Sequence, residues 1–108
     1  MAKVVPPFLE RTDMTMADSI KIISFEADPS HGWLIAPIDE IRAAGLSITE
    51  YSFINRDTGM VYLEEDCDAM TYINYLNENK IAFTVRETHI NDDHPARSYE
   101  RWPQHWNN

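Results

Sequence analysis

The chain has 108 residues, of which 44% are hydrophobic, and it carries 18 Asp and Glu against 9 Lys and Arg, for a formal net charge of -9. This length and apolar content predict one globular domain with a single core and argue against wholesale disorder. Because contact with nucleic-acid phosphates needs a basic stripe, the composition excludes direct nucleic-acid binding and favours a basic protein partner.

Cysteine content and hydropathy set the expected compartment. The one cysteine, Cys67, excludes an internal disulfide, which fits a reducing cytoplasm. No stretch approaches the roughly 18 apolar residues that cross a bilayer. The first ten residues resemble neither a signal peptide nor a membrane anchor. We therefore expect a cytoplasmic protein with no membrane contact and no cofactor.

The first half of the chain begins with a predicted flexible arm over residues 1–18, where two consecutive prolines prevent regular structure. Residues 19–25 are β-branched and apolar and predict a strand, and residues 33–36 predict a second, short one. Turn residues between these two strands favour a hairpin. A short helix is predicted from Ile38, with Gly45 as its C-terminal stop.

The second half predicts two strands, 47–55 and 59–64, joined by a hairpin turn that contains Gly59. A helix follows over residues 66–79, with Asp66 as its N-cap and a buried stripe at helical spacing. The last strand is predicted at 81–90. The stripe consists of Ala69, Tyr72, Ile73 and Leu76.

The order of these elements, β(β)αββαβ, predicts an α+β fold. Its two strand–helix–strand units indicate a split-βαβ, ferredoxin-like sheet with two helices on one face. The expected division is a flexible arm at 1–18, a compact domain at 19–91 and an irregular, aromatic tail at 92–108.

A sheet covered by helices on one face should have a polar second face, yet Tyr51, Phe53 and Tyr62 alternate onto it. Something must cover these rings. The sequence leaves three candidates open: the C-terminal tail with Trp102 and Trp106, a second copy of the chain bound through the three rings, or a foreign partner.

The acidic cluster between the predicted strand and helix, residues 64–68, is the main candidate site. Its carboxylates suit a divalent cation, but a helix N-terminus disfavours a cation there, and capping of the helix explains Asp66 and Asp68 as well. Cys67 is expected to be structural, because the flanking carboxylates oppose the effect of the helix N-terminus on its thiol. An alternative is a small metal-dependent enzyme or ligand-binding domain that uses His31, Glu64, Glu65 and His89.

Three segments together resemble a pattern found in short, uncharacterised proteins of phages, prophages and plasmids. These are His31-Gly32-Trp33-Leu34, then residues 62–68 (YLEEDCD), and then Thr88-His89 followed by Asn91. The resemblance covers roughly residues 20–99. It carries no assigned reaction and transfers no catalytic residues, but small proteins of mobile elements often inhibit or redirect host proteins.

The sequence therefore favours an acidic accessory protein of a phage or mobile element that binds a host protein with a basic surface, as an anti-defence inhibitor or a nucleic-acid mimic. No catalytic motif is present. A self-associating structural protein is the remaining alternative. The expected partner-binding residues are Glu50, Asp57, Glu64, Glu65, Asp66, Asp68, Trp102 and Trp106.

Overall fold

The computed structural model describes residues 20–107, and the predicted arm at 1–18 lies outside them. The strands are β1 (Lys21–Ala27), β2 (Gly32–Pro37), β3 (Phe53–Asn55), β4 (Met60–Glu64), β5 (Phe83–His89) and β6 (Glu100–Arg101). The α-helices are α1 (Ile38–Ala43) and α2 (Asp68–Glu78), and two 3₁₀ helices span Pro95–Ser98 and Gln104–Trp106.

The six strands form one mixed sheet in the order β5-β1-β2-β4-β3-β6. Only β1 and β5 pair in parallel, and every other neighbouring pair is antiparallel. The α+β class is confirmed. The unit β2–α1–β3, with β4 between its strands, is a split βαβ unit. The second unit, β4–α2–β5, has two strands between its ends, because β1 pairs with β5 and occupies the place next to β2. The sheet therefore differs from a ferredoxin-like sheet.

Both helices pack on the same face of the sheet. Val61 and Leu63 of β4 lie in one buried cluster with Ile41 of α1 and with Tyr72 of α2. The hydroxyl of Tyr72 donates a hydrogen bond of 2.9 Å to Glu40 Oε1, which joins the two helices directly. Burial of this apolar cluster is the main favourable term in the stability of the fold.

The predicted strand 47–55 is wrong over most of its length, since only Phe53–Asn55 pair in the sheet. Side chains satisfy the backbone of the preceding residues instead. The Ile48 N–H donates to Asn107 Oδ1 at 2.9 Å, and the Thr49 N–H donates to both carboxylate oxygens of Asp68 at 3.1 Å. Because these groups already have partners, the segment gains nothing from joining a β-ladder.

The segment predicted as an irregular tail contains a strand and two 3₁₀ helices. Its strand β6 pairs with β3, opposing Arg101 to Phe53, and forms one edge of the sheet. Trp102 then turns to the helix-covered face, where it is 2% exposed and belongs to the core. Trp106 packs edge-on against Trp102, with 5.1 Å between the ring centroids.

The C-terminal segment also covers the second face of the sheet, through residues other than the expected tryptophans. The ring of His94 lies 5.2 Å from that of Trp33 and 5.6 Å from that of Tyr62. Tyr99 packs edge-on against Tyr62 at 5.3 Å. Burial, followed by the neighbouring Tyr99, raises the pKa of Tyr62 to about 12.

A buried carboxylate, that of Asp28 in the β1–β2 turn, holds this segment in place. Its Oδ2 accepts from the His94 N–H at 2.9 Å and from Arg97 Nε at 2.6 Å. Its Oδ1 accepts from Arg97 Nη2 at 2.9 Å and from the N–H groups of Ser30 and His31. The hydrogen bonds from Arg97, helped by those backbone donors and opposed by burial, hold the pKa of Asp28 far below its usual range.

This lowered pKa predicts an acid-dependent contribution to stability. A depressed carboxyl pKa stabilises the fold above the unfolded value of about 4, and the gain is lost as the pH falls toward the folded pKa. In urea denaturation, Arg97→Gln should therefore destabilise the protein at pH 7, and the difference from the parent should shrink between about pH 5 and pH 2. Arg56→Gln, which removes the exposed pair with Glu100, is the matched control and should have the smaller effect. A difference that stays constant with pH would contradict this interpretation.

Candidate functional site

The strand directions gather most of the predicted acidic residues at one end of the sheet. β1, β4 and β5 finish at this end, and β2 and β3 begin there. Glu64 ends β4, and Glu65 and Asp66 follow it, while Glu50 lies just before β3. Asp92 and Asp93 follow β5 at the same end. We name these six residues the acidic end: Glu50, Glu64, Glu65, Asp66, Asp92 and Asp93.

Asp57 does not belong to the acidic end. It lies in the turn between β3 and β4, which is closed at the opposite end of the sheet by the 2.9 Å hydrogen bond from Gly59 N to Asn55 O. The predicted acidic surface is therefore divided between two ends.

A pocket of about 510 Å³ opens on the second face at the acidic end. This volume lies in the range of small-molecule binding sites. Its lining combines aromatic rings with charges of both signs, drawn from β2, β3, β4, the 65–67 turn and the C-terminal segment. The lining residues are His31, Trp33, Tyr51, Phe53, Glu64, Asp66, Cys67, Arg97 and Arg101.

Two arginines lie over the aromatic rings of the pocket. The Arg97 guanidinium carbon is 5.7 Å from the Trp33 ring centroid, and that of Arg101 is 5.3 Å from the Phe53 centroid. The charge of Arg97 is balanced by Asp28, whereas Arg101 donates only to the Glu50 carbonyl, at 2.9 Å, and forms no ion pair within residues 20–107. Arg101 is therefore the cation of the pocket that is available to an anionic group.

The Trp33 side chain has an unusual polar group. It is 2% exposed, and its indole N–H is buried without a hydrogen-bond acceptor among the described residues. An unsatisfied buried donor costs about 1–3 kcal/mol. An acceptor on a ligand that reached this edge of the ring would remove that cost.

Gly32 permits tight packing beside the pocket. A Cβ atom at this position would lie 2.3 Å from Phe25 Cζ and 3.0 Å from Glu65 Oε1. Only glycine therefore allows the β1 ring and the Glu65 carboxylate to close on the start of β2.

Asp68 was predicted as a partner-binding residue, and that prediction is wrong, because its side chain is 2% exposed. Its Oδ2 accepts from Thr49 Oγ1 at 2.6 Å and from Ser52 Oγ at 2.5 Å, in addition to the Thr49 N–H. Ser52 Oγ in turn accepts from the Glu64 N–H at 3.0 Å. Asp68 thus joins the start of α2 to the segment before β3 and to the end of β4.

The helix start also differs from the prediction. Helix α2 begins at Asp68, its N-cap position is Cys67, and no side chain caps it. Asp66 is exposed in the preceding turn, so it remains available at the surface.

The two predicted tryptophan anchors pack within the fold. Trp102 is buried in the core and donates through its indole Nε1 to Asn107 Oδ1 at 3.0 Å. Trp106 is half-buried, and the guanidinium of Arg42 covers its ring at 4.3 Å. Aromatic size made both residues resemble interface anchors, but their long-range contacts assign them to the fold.

The four residues of the metal hypothesis do not converge. His31 and Glu64 line the pocket, whereas His89 is 72% exposed at the end of β5, where it pairs with Glu87. Within residues 20–107, no group of three or more His, Cys, Asp or Glu side chains is arranged to hold a metal ion. The four residues therefore form no common metal site in the described part of the chain.

The three rings expected on the second face have different environments. Tyr62 is covered by His94 and Tyr99, Phe53 is half-buried in the pocket, and Tyr51 is 61% exposed at the pocket mouth. They do not form one flat surface for a second copy of the chain.

Cys67 lines the pocket but is not an activated nucleophile. Burial raises the pKa of its thiol, and the hydrogen bond to Glu64 Oε1, at 3.3 Å, raises it further. Since the thiolate is the reactive form, these surroundings favour the structural interpretation of this residue.

Sequence reasoning missed the residues that close the pocket. Asp28 stands before Pro29 and Ser30, which indicated a turn, but nothing in that pattern showed that its carboxylate would bind Arg97, 69 residues later. His94 falls in the segment predicted as an irregular tail, yet its Nε2 lies 2.6 Å from Glu26 Oε1 and its Nδ1 accepts from the Ala96 N–H.

None of the described helices is long and apolar enough to cross a bilayer. The chain matches no family model, no curated protein and no solved structure.

The roles of two neighbouring carboxylates can be separated by amide substitution. Asp68→Asn places an N–H₂ donor among groups that already donate, so we expect the free energy of unfolding to fall by about 2 kcal/mol or more. The matched control Asp66→Asn should change it by less than about 0.5 kcal/mol, because Asp66 is exposed. Urea denaturation at pH 7 measures both, and equal effects would contradict the structural role of Asp68.

Proposed function

We propose that this protein is a binding protein that captures a basic protein at the acidic end of its sheet and thereby inhibits or modulates it. The observation that carries the proposal is the grouping of Glu50, Glu64, Glu65 and Asp66 at one end of a rigid sheet. None of these four carboxylates forms an ion pair within residues 20–107.

The electrostatics of the described chain support this proposal. Some carboxylates elsewhere are neutralised locally, as in the pairs Lys21–Glu40 and Arg56–Glu100. Asp93 of the acidic end lies 3.8 Å from Arg97 Nε. Glu50, Glu64, Glu65 and Asp66 have no cation partner within residues 20–107, so their field extends into solvent. Such a field steers a basic partner toward this end and raises the association rate at low salt.

The resemblance to small proteins of phages and other mobile elements suggests a host protein as the partner. An array of carboxylates on a sheet end can occupy a groove that normally binds nucleic-acid phosphates. We therefore propose an anti-defence inhibitor or nucleic-acid mimic that acts in the cytoplasm.

Affinity capture from bacterial lysate tests this function. The tagged parent should retain a basic protein at low salt and release it at high salt. Glu64→Gln/Glu65→Gln should lose that protein, because it removes two charges from the acidic end. Asp57→Asn/Glu78→Gln removes two charges elsewhere and should retain it. Equal capture by all three proteins, or capture that is insensitive to salt, would contradict the proposal.

A second candidate function is self-association. It is favoured by the exposed edge of the sheet, where β5 is the last strand and β1 is its neighbour. Apart from the half-buried Phe83, all residues of β5 are exposed, and no strand within residues 20–107 pairs with its outer edge. Ile22 on β1 is 56% exposed and Val85 on β5 is 39% exposed, so this edge also has apolar surface in contact with solvent. An open edge of this kind is a template for pairing with another strand.

Charge disfavours two registers of an antiparallel β5–β5 dimer. A two-fold axis at Arg86 or at Glu87 would oppose like charges, which destabilises a strand pair. An axis at Val85 instead opposes Val85 to its copy and Thr84 to Arg86. Analytical ultracentrifugation should then show a dimer for the parent and for Tyr51→Ser, and a monomer for Val85→Lys. A parent that is monomeric at high micromolar concentration would exclude this candidate.

A further inference from the structure

The pocket presents opposite charges on its two sides. Glu64 ends β4 and Asp66 follows it, whereas Arg101 lies on β6. Strand β3 separates β4 from β6, so the backbones that carry these charges are about 10 Å apart, two strand spacings. Arg101 and Glu64 form no ion pair with each other. A ligand between them would meet a cation on one side and carboxylates on the other.

On each side of the pocket, polar atoms remain without a hydrogen-bond partner within residues 20–107. Glu64 accepts from the Asp66 N–H at 3.1 Å and from Cys67 Sγ at 3.3 Å, both through Oε1, which leaves Oε2 without a donor. Arg101 uses only Nη1, toward the Glu50 carbonyl. Its other N–H groups can donate to a carboxylate.

Phe53, on β3, lies between the charged sides, and Tyr51 stands at the mouth. The buried ring of Trp33, on β2, packs edge-on against Phe53, with 6.5 Å between the ring centroids. An aromatic ring on a ligand gains from such contacts beyond the burial of its area.

These features select a class of ligand by exclusion. A simple cation would meet Arg101, and a simple anion would meet Glu64 and Asp66 in the field of a strongly acidic protein. A zwitterion satisfies both sides at once, and an aromatic body satisfies the rings.

We propose that the pocket binds an aromatic α-amino acid. The α-ammonium group contacts Glu64 and Asp66, the carboxylate contacts Arg101, and the ring packs against Phe53 and Tyr51. This site goes beyond the capture of a protein partner, since it concerns a small molecule and needs no second protein.

Three matched probes test the proposal on the purified protein by isothermal titration calorimetry. L-phenylalanine carries both charges, phenethylamine lacks the carboxylate, and 3-phenylpropionate lacks the ammonium group. L-phenylalanine should bind at least about tenfold tighter than either analogue, because each loses one charge-assisted contact. L-leucine should bind more weakly than L-phenylalanine, because it lacks a ring.

Variants assign each contact to its residue. Arg101→Gln should weaken L-phenylalanine and 3-phenylpropionate by about tenfold and should not weaken phenethylamine, which loses only a repulsive charge. Glu64→Gln should weaken L-phenylalanine and phenethylamine and should not weaken 3-phenylpropionate, which loses only a repulsive charge. Arg56→Gln and Asp57→Asn, which alter charges outside the pocket lining, should bind all three probes as the parent does. Circular dichroism of each variant checks the fold.

Several outcomes would overturn the proposal. These are no binding of L-phenylalanine at millimolar concentration, equal binding of phenethylamine or 3-phenylpropionate, or a folded Arg101→Gln variant with unchanged affinity. Failure of protein capture would leave this result intact, because the titration contains no partner protein, and failure here would leave the capture experiment intact.

Discussion

The carboxylate of Asp28 is the interaction on which the arrangement of the second face depends. It accepts hydrogen bonds from its own turn, through Ser30 and His31, and from the C-terminal segment, through His94 and Arg97. A buried carboxylate is costly unless such donors surround it. Because two of its four partners, His94 and Arg97, belong to the C-terminal segment, the carboxylate ties that segment to the β1–β2 turn.

The pocket follows from that constraint. The guanidinium of Arg97, bound to Asp28, lies over the ring of Trp33. The chain then continues through Tyr99 into β6, where Arg101 lies beside Phe53 of the neighbouring strand. On the other side, the network from Asp68 through Ser52 to the Glu64 N–H fixes the end of β4. The two buried carboxylates, Asp28 and Asp68, thus position the charged groups that line the pocket, Arg101 and Glu64.

Local patterns in the sequence were enough to predict the α+β class, the approximate strands and the helix that buries Tyr72 and Leu76. These features depend on periodicity and turn residues, which act over short distances. The place of β1 between β5 and β2 was not predictable in this way, because strand order depends on pairings between residues far apart in the chain. The strand predicted at 47–55 failed for the same reason, since its backbone partners are the distant side chains of Asp68 and Asn107.

In the candidate site, too, local patterns were predictable from the sequence and long-range contacts were not. The sequence placed Glu64, Glu65 and Asp66 in an acidic cluster between a strand and a helix, and charged residues rarely lie inside a protein without partners. It could not distinguish them from Asp68, whose type and position are similar, because burial depends on Thr49 and Ser52. Residue type likewise could not show that Trp102 completes the core.

The central claim is that Asp28 holds the C-terminal segment on the sheet and so builds one wall of the pocket. Hydrogen exchange of backbone amides in the parent and in Asp28→Asn tests it most directly. The account predicts that His94, Ala96 and Arg97 lose protection in the variant, while the paired amides of β2 and β4 keep theirs. Unchanged protection of the three C-terminal amides in a folded variant would contradict it.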